Sequence, residues 1–374
     1  MDKFISVAST VLNGNELNYL KQCIESGWIS SEGQFVKSFE EKFANLVKRK
    51  HAIAVTSGTA ALELAASAIN LKKGDEVILP TFAIISCIAP LIRLGVIPIF
   101  VDSDPFTWNM DVKQIEKKIT PSTKAIMVVH TYGLPVDMEP VMNLSKKHGL
   151  SIIEDAAEAH GIQYKDLPCG SFGDVSTFSF YSNKLITTGE GGMVLTNDDN
   201  IAKECRLLRN LYFKNGDERF MHDGLGWNFR MSNLQAAVGL AQIERIDEFV
   251  KKKKFIGKKY TELLTAIDTI QIPVEKTDYA ENTYWVYGVV PGESVRYSTK
   301  ILMKELFKNG IETRPFFWPL HEQPVFNRMG LFNNGKYPVA ENLARKGFYI
   351  PSGLGLTENE INIVAEKLTS ILLS

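Results

Sequence analysis

Residues Thr177 to Leu195 read TFSFYSNKLITTGEGGMVL, and the fold turns on how this stretch is parsed. Phe178, Phe180 and Tyr181 give its first part strand propensity. Gly189, Gly191 and Gly192 then mark tight backbone before Met193, Val194 and Leu195 resume an apolar strand. Lys184 sits on the connection between them. A lysine on such a turn is partly desolvated, which moves its amine down from a pKa of about 10.4 towards a value where the neutral form makes a Schiff base. Taken singly, the residue fits an ordinary surface lysine on a hairpin better.

Three upstream segments change that balance. Leu150 to Gly161, LSIIEDAAEAHG, has a short buried strand in Leu150, Ile152 and Ile153, with Asp155 where the strand should end. A carboxylate there is what a pyridoxal phosphate site needs, because it keeps the pyridine nitrogen protonated and the ring an electron sink; by itself it could equally cap a helix. Ala52 to Ile69, AIAVTSGTAALELAASAI, runs from a strand through Ser57, Gly58 and Thr59 into an Ala/Leu-rich helix. Free N–H groups and hydroxyls at that helix start suit a phosphate, and Thr59 also fits a plain N-cap. Asp75 to Ser86, DEVILPTFAIIS, places Phe82 just past a strand and a proline, where its ring would either stack on a cofactor ring or join the core.

Outward from these segments, strand-like runs alternate with helical patterns from about Ala52 to Leu211, which predicts βαβ units around a largely parallel sheet. Ligands of such sheets bind beyond the carboxyl ends of the strands, where Ser57 and Asp155 fall. From Ser232 one long amphipathic pattern runs through Leu234, Ala237, Leu240, Ile243, Ile246 and Phe249 into Lys251 to Lys254, a run expected on a solvated helix face. A strand over Tyr284 to Val290, a helix around Ser298 to Lys308 and a last helix over Thr357 to Leu373 predict a smaller α+β unit. The expected division is a large α/β unit with an N-terminal arm over residues 1–250 and a small one over 251–374.

Composition narrows the function classes. Lys and Arg number 42 against 43 Asp and Glu, a net charge of −1 that creates no field for a polyanion, so nucleic acid is not an expected partner. Arg93, Pro90 and Pro98 interrupt the most hydrophobic region before it reaches the roughly 20 residues of a membrane span. Met1-Asp2-Lys3 does not open a signal peptide. Cys23, Cys87, Cys169 and Cys205 lack C-x-x-C spacing and fit a reducing cytoplasm. His130 and His160 have no paired ligand spacing, so no metal is expected.

Taken in order, these segments resemble the sugar aminotransferases of the DegT/DnrJ/EryC1/StrS family. The likeness extends through GWISSEG (Gly27 to Gly33), VHTYGLPVDMEP (Val129 to Pro140), GWNFRMS (Gly226 to Ser232) and ETRPFFWPLH (Glu312 to His321); Asn210 to Asp223 departs from it. The resemblance implies the pyridoxal 5'-phosphate-dependent transferase fold type I, aspartate aminotransferase-like, with a mostly parallel mixed sheet flanked by helices. It implies that Lys184 holds the cofactor covalently and moves protons, that Asp155 pairs with the pyridinium and that Phe82 stacks on the ring. Ser57, Gly58, Thr59 and Ser179 would bind the phosphate, with Asn228 reaching it from the partner of a homodimer. Glu158, a Gln in many members, would approach the phenolic oxygen, and Trp28, Ser30, Arg230, Arg314 and His321 would line the substrate side.

The implied reaction is transfer of an amine from L-glutamate to a nucleotide-linked keto-deoxysugar, GDP-4-keto-6-deoxymannose foremost, in bacterial surface polysaccharide biosynthesis. Another nucleotide-linked keto sugar or a small phosphorylated ketone is the alternative acceptor. A sugar dehydratase of the same fold would carry histidine in place of Lys184, and a non-catalytic regulator would have lost Lys184 or Asp155; both residues are present.

Overall fold

A computed structural model of the chain describes residues 4–214, 216–332 and 335–373. Met1 to Lys3, on which the leader reading rests, lie outside the described residues, as does position 215 of the divergent stretch. Thirteen strands are described: β1 (His51–Val55), β2 (Glu76–Pro80), β3 (Ile97–Val101), β4 (Thr123–Val129), β5 (Ser151–Asp155), β6 (Gln163–Tyr164), β7 (Leu167–Pro168), β8 (Val175–Ser179), β9 (Gly192–Thr196), β10 (Ile270–Gln271), β11 (Tyr287–Pro291), β12 (Arg314–Pro315) and β13 (Phe348–Ile350). Seven form one sheet in the order β1-β9-β8-β5-β4-β2-β3. Its β8–β5–β4–β2–β3 part is parallel, and β9 runs antiparallel between β8 and β1. The sheet is therefore mixed and mostly parallel, as expected.

The described helices are α1 (Glu16–Ser26), α2 (Gln34–Leu46), α3 (Gly58–Ala68), α4 (Ala89–Arg93), α5 (Met138–His148), α6 (Asp199–Arg209), α7 (Asn233–Ile243), α8 (Ile246–Leu264), α9 (Thr299–Lys308), α10 (Pro324–Arg328), α11 (Pro338–Lys346) and α12 (Glu358–Leu372). On one face of the sheet, Leu64 and Ala65 of α3, Leu91 of α4 and Cys205 of α6 pack against Ile53, Leu79 and Ile153. On the other, Phe35, Phe39 and Phe43 of α2 meet Ala54, Phe178 and Leu195, while Met138 and Val141 of α5 meet Ile126 and Ile152. A second, antiparallel sheet of order β10-β11-β13-β12 is covered by α8, α9 and α12.

Two sequence expectations are corrected. The single amphipathic pattern after Ser232 is two helices, α7 and α8, broken at Glu244–Arg245; a residue 250 boundary accordingly falls inside α8. The Lys251 to Lys254 run is not wholly solvated either. Lys253 is buried and donates from Nζ to the carbonyls of Trp285 (2.8 Å) and Ser352 (2.5 Å). Burial pushes its amine down to about 7, because no charge compensates the lost hydration.

Strand β5 shows how the pleat sorts its residues. Ile152 and Glu154 face one side, Ile153 and Asp155 the other. Glu154 is fully buried yet satisfied: Gly170 and Phe172 amides donate to it at 2.6 and 2.8 Å, and His130 Nε2 lies 2.9 Å away. The Val136 amide donates to His130 Nδ1 at 3.0 Å, so the imidazole proton is on Nε2 and is given to Glu154. Glu154→Ala should strand these donors and cost about 3 kcal/mol or more of stability, measured by urea unfolding. A loss below about 1 kcal/mol would contradict this role.

Candidate active site

Lys184 lies on the connection between β8 and β9, whose first turn is closed by its own N–H donating to the Tyr181 carbonyl at 2.9 Å. Its side chain lines a cavity of about 430 Å³ together with Ser57, Gly58, Thr59, Asp155, Glu158 and Ser179. Seven residues spread over 128 positions of the chain thus reach one space, at the carboxyl ends of β1, β5 and β8. Nζ of Lys184 sits 3.3 Å from Glu158 Oε1 and 3.7 Å from the centroid of the Trp285 ring.

The Ser57 end of the cavity is built by close approach. Ser57 has extended backbone, accepts the Ala60 amide on its hydroxyl at 3.1 Å and so caps α3. A Cβ on Gly58 would come within 2.7 Å of Ser179 Cβ, and one on Gly192 within 2.3 Å of the Ser57 carbonyl. Only glycine lets the three strand ends meet there. Thr59 and Ser86 share a hydroxyl hydrogen bond of 2.9 Å. The Thr177 hydroxyl, in the cavity wall, is buried with no hydrogen-bond partner among the described residues. A helix N-terminus with hydroxyls around it is the donor set a phosphate requires, and an unpaired buried hydroxyl beside it fits a polar guest.

The carboxyl groups at the other end are electrostatically loaded. Burial raises Asp155 from its ordinary value, opposed by hydrogen bonds from the Ala157 amide (3.0 Å) and Cys87, and by the positive field of Lys184. Burial raises Glu158 as well, against the attraction of Lys184 and the Tyr132 amide, which donates to Oε2 at 2.9 Å. His160, packed against Phe178 and Phe180 with neither ring nitrogen hydrogen-bonded among the described residues, is pushed down to about 3 by burial and is neutral.

Not every expected residue reaches this space. Phe82 has no exposed surface; its ring packs on Tyr132, Phe316 and Phe317 at centroid distances of 5.8, 5.9 and 6.1 Å. Stacking of Phe82 on a ring in the cavity is therefore corrected, and Ile84, 46% exposed, stands in the wall instead. His321 is also buried, its Nδ1 2.7 Å from Thr81 Oγ1 and its Nε2 3.4 Å from Glu341, away from the cavity. Arg314 lines an adjoining cavity of about 290 Å³ that shares Lys184 and Trp285, and pairs with Glu312 at 2.5 Å.

Trp28, Ser30, Asn228 and Arg230 line neither cavity. Trp28 is more than half exposed, and the Ser30 carbonyl accepts the Asn233 amide. Asn228 and Arg230 lie on the segment that bridges to Asn210 and Val55, beside the end of β1, and the Arg230 guanidinium bonds Asn210. Among the cavity residues that sequence reasoning missed are Thr177, Ser86, Trp285 and Tyr349. Thr177 was in the quoted stretch; Trp285 and Tyr349 lie 90 or more positions beyond its end, with no local spacing to mark them.

The raised Asp155 carboxyl gives a stability prediction with a definite sign. The folded state holds this proton to a higher pH than the unfolded chain. The carboxyl therefore costs no stability below its unfolded value, and the cost appears as pH rises through the raised folded value. Without cofactor, the protein should lose stability over that interval. Asp155→Asn should flatten the loss and be more stable than wild type at neutral pH. Denaturant titrations across pH decide it, and an Asn variant less stable at every pH would contradict it.

The chain matches the DegT/DnrJ/EryC1/StrS aminotransferase family over residues 11–369. It is 41% identical over 370 residues to a GDP-perosamine synthase of Escherichia coli O157:H7, covering 98% of each chain. It is 34% identical over 375 residues to EpsN of Bacillus subtilis, described as a putative pyridoxal phosphate-dependent aminotransferase, covering 98% of this chain and 96% of EpsN. Among solved structures it superposes on the aminotransferase TlmJ of Streptoalloteichus hindustanus with a TM-score of 0.91, at 27% identity and 99% coverage of both chains. The chain is a member of the DegT/DnrJ/EryC1/StrS aminotransferase family.

Proposed function

We propose that this aminotransferase binds pyridoxal 5'-phosphate in the 430 Å³ cavity and aminates a nucleotide-linked keto-deoxysugar, GDP-4-keto-6-deoxymannose foremost, with L-glutamate as donor. The observation that carries the reading is convergence on one cavity of the Lys184 amine, the Asp155 carboxylate and the capped start of α3. The GDP-sugar choice rests on the 41% identical perosamine synthase. The product would enter bacterial surface polysaccharide.

In this reading Ser57, Gly58, Thr59 and Ser179 hold the phosphate, and Asp155 faces the ring nitrogen. The cofactor, when bound, supplies an electron sink for the carbon that gains or loses its amine. Lys184 Nζ holds the cofactor and then carries the proton between carbons, within reach of Glu158, which keeps a compensating charge or proton beside it. Trp285, fixed by its indole N–H to the Asn183 carbonyl at 3.0 Å, holds the lysine from below. Phe317 and Tyr349 close the wall against water. The smaller sheet unit thus completes a site whose cofactor residues all come from the larger one.

The active unit would be a homodimer. Phe220, on the divergent stretch, and Leu225, just after it, are 78% and 93% exposed, an apolar surface that a second copy would cover, and Asn228 lies three positions further on. Mixing Lys184→Ala with Asn228→Ala subunits should restore part of the activity that each lacks alone, because one of two composite sites is then intact. A fully active monomer by light scattering would contradict this.

Lys184→Ala should lose the visible absorbance of the covalently held cofactor and all turnover. Borohydride reduction and peptide mapping should label Lys184; a label on another lysine would sink the assignment. With the protein first converted to its amine-loaded form by glutamate, GDP-, UDP- and dTDP-linked 4-keto sugars and small keto-phosphates are offered in turn. Return of the original absorbance with the GDP sugar is expected, and a response only to a keto-phosphate would overturn the acceptor.

A further inference from the structure

The Asp155 carboxylate has a partner that the amination scheme does not use. Cys87 closes a 3-10 turn (Ile85–Cys87) after β2 and sets its sulfur 3.2 Å from Asp155 Oδ2. Oδ1 takes the Ala157 amide. Strand β4 lies between β2 and β5, so the turn reaches Asp155 across the end of β4, where Val129 pairs with Asp155. Cys87 has no exposed surface and Asp155 only 3%. Burial and the facing carboxylate push the thiol well above its usual range, so the sulfur keeps its proton and is the donor. Each carboxylate oxygen then has one protein donor and a further lone-pair direction for the cavity.

We propose that Cys87 is a positioning residue for the transamination: its S–H, donated to Oδ2, holds Asp155 ionised and turned towards the ring nitrogen of the cofactor. This rests on the cofactor reading above. A thiol suits the place, since it is small and apolar enough to pack with Ala83, Ile88 and Leu91 in the core, yet gives a weak donor to a charge. Alanine keeps the packing less one atom and removes the donor; serine keeps a stronger donor.

The test is the dissociation constant of pyridoxal 5'-phosphate, followed by the absorbance of the bound cofactor, from the ordinary carboxyl range to neutral pH. Wild type should bind at neutral pH and weaken on the acid side as Asp155 takes a proton. Cys87→Ala should move that acid limb up by about half a pH unit, which weakens binding about twofold at the wild-type midpoint and about threefold further to the acid side. Cys87→Ser should leave the limb in place or move it down, a rescue that packing alone would not produce. A Cys87→Ala limb superposing on wild type overturns the proposal. So does a Cys87→Ser limb moved to higher pH, which decides the matter even where the alanine variant does not fold. Wild type that binds no cofactor at any pH would overturn the cofactor reading itself, and this role with it.

Discussion

Placing a carboxylate with 3% exposure at the end of a central strand is the constraint around which the rest of this molecule is arranged. Removing Asp155 from water is unfavourable on its own. The surroundings offset this only in part: one amide, one thiol and the field of Lys184 all act to keep it charged, and its carboxyl still stays raised. Such a site is incomplete without a cation, and the cavity in front of it is where one would be received. The mixed sheet serves this end. It brings the ends of β1, β5 and β8 together, and Gly58 and Gly192 allow the anion-binding start of α3 to lie within the same space.

The neighbouring residue shows the contrast. Glu154, one position earlier and on the opposite face, is buried more completely but has two amides and an imidazole as partners. It is a network that braces β4, β5 and the turn at Gly170, with three donors on one carboxylate. Identical chemistry on two faces of one strand thus divides into a structural acid and an open one, decided by how many donors each face supplies.

Much of this was legible in the sequence because it is local. The glycine-rich turn after Lys184, the helix start after Ser57 and the strand end at Asp155 are written in contiguous residues, and alternating strand and helix patterns marked the mostly parallel sheet. Side-chain direction was harder. Phe82 and Ile84 both follow the proline of β2, and the rings of Tyr132, Phe316 and Phe317, remote in sequence, determine that the aromatic turns inward and the isoleucine faces the cavity. Lys253 looks like a member of a solvated run until the carbonyls of Trp285 and Ser352 are seen to claim its amine. Trp285 under Lys184 is a contact across 101 positions that no motif announces. Cys87 was judged by spacing to other cysteines, whereas its partner is a carboxylate.

If Asp155 is held ionised, the ring nitrogen of the bound cofactor stays protonated at neutral pH. The nitrogen-15 chemical shift of isotopically labelled pyridoxal 5'-phosphate in the intact protein reads that proton directly. A shift characteristic of a pyridinium, constant through neutral pH in wild type and lost in Asp155→Asn, is the predicted result. An unprotonated pyridine shift in the wild-type protein would contradict it.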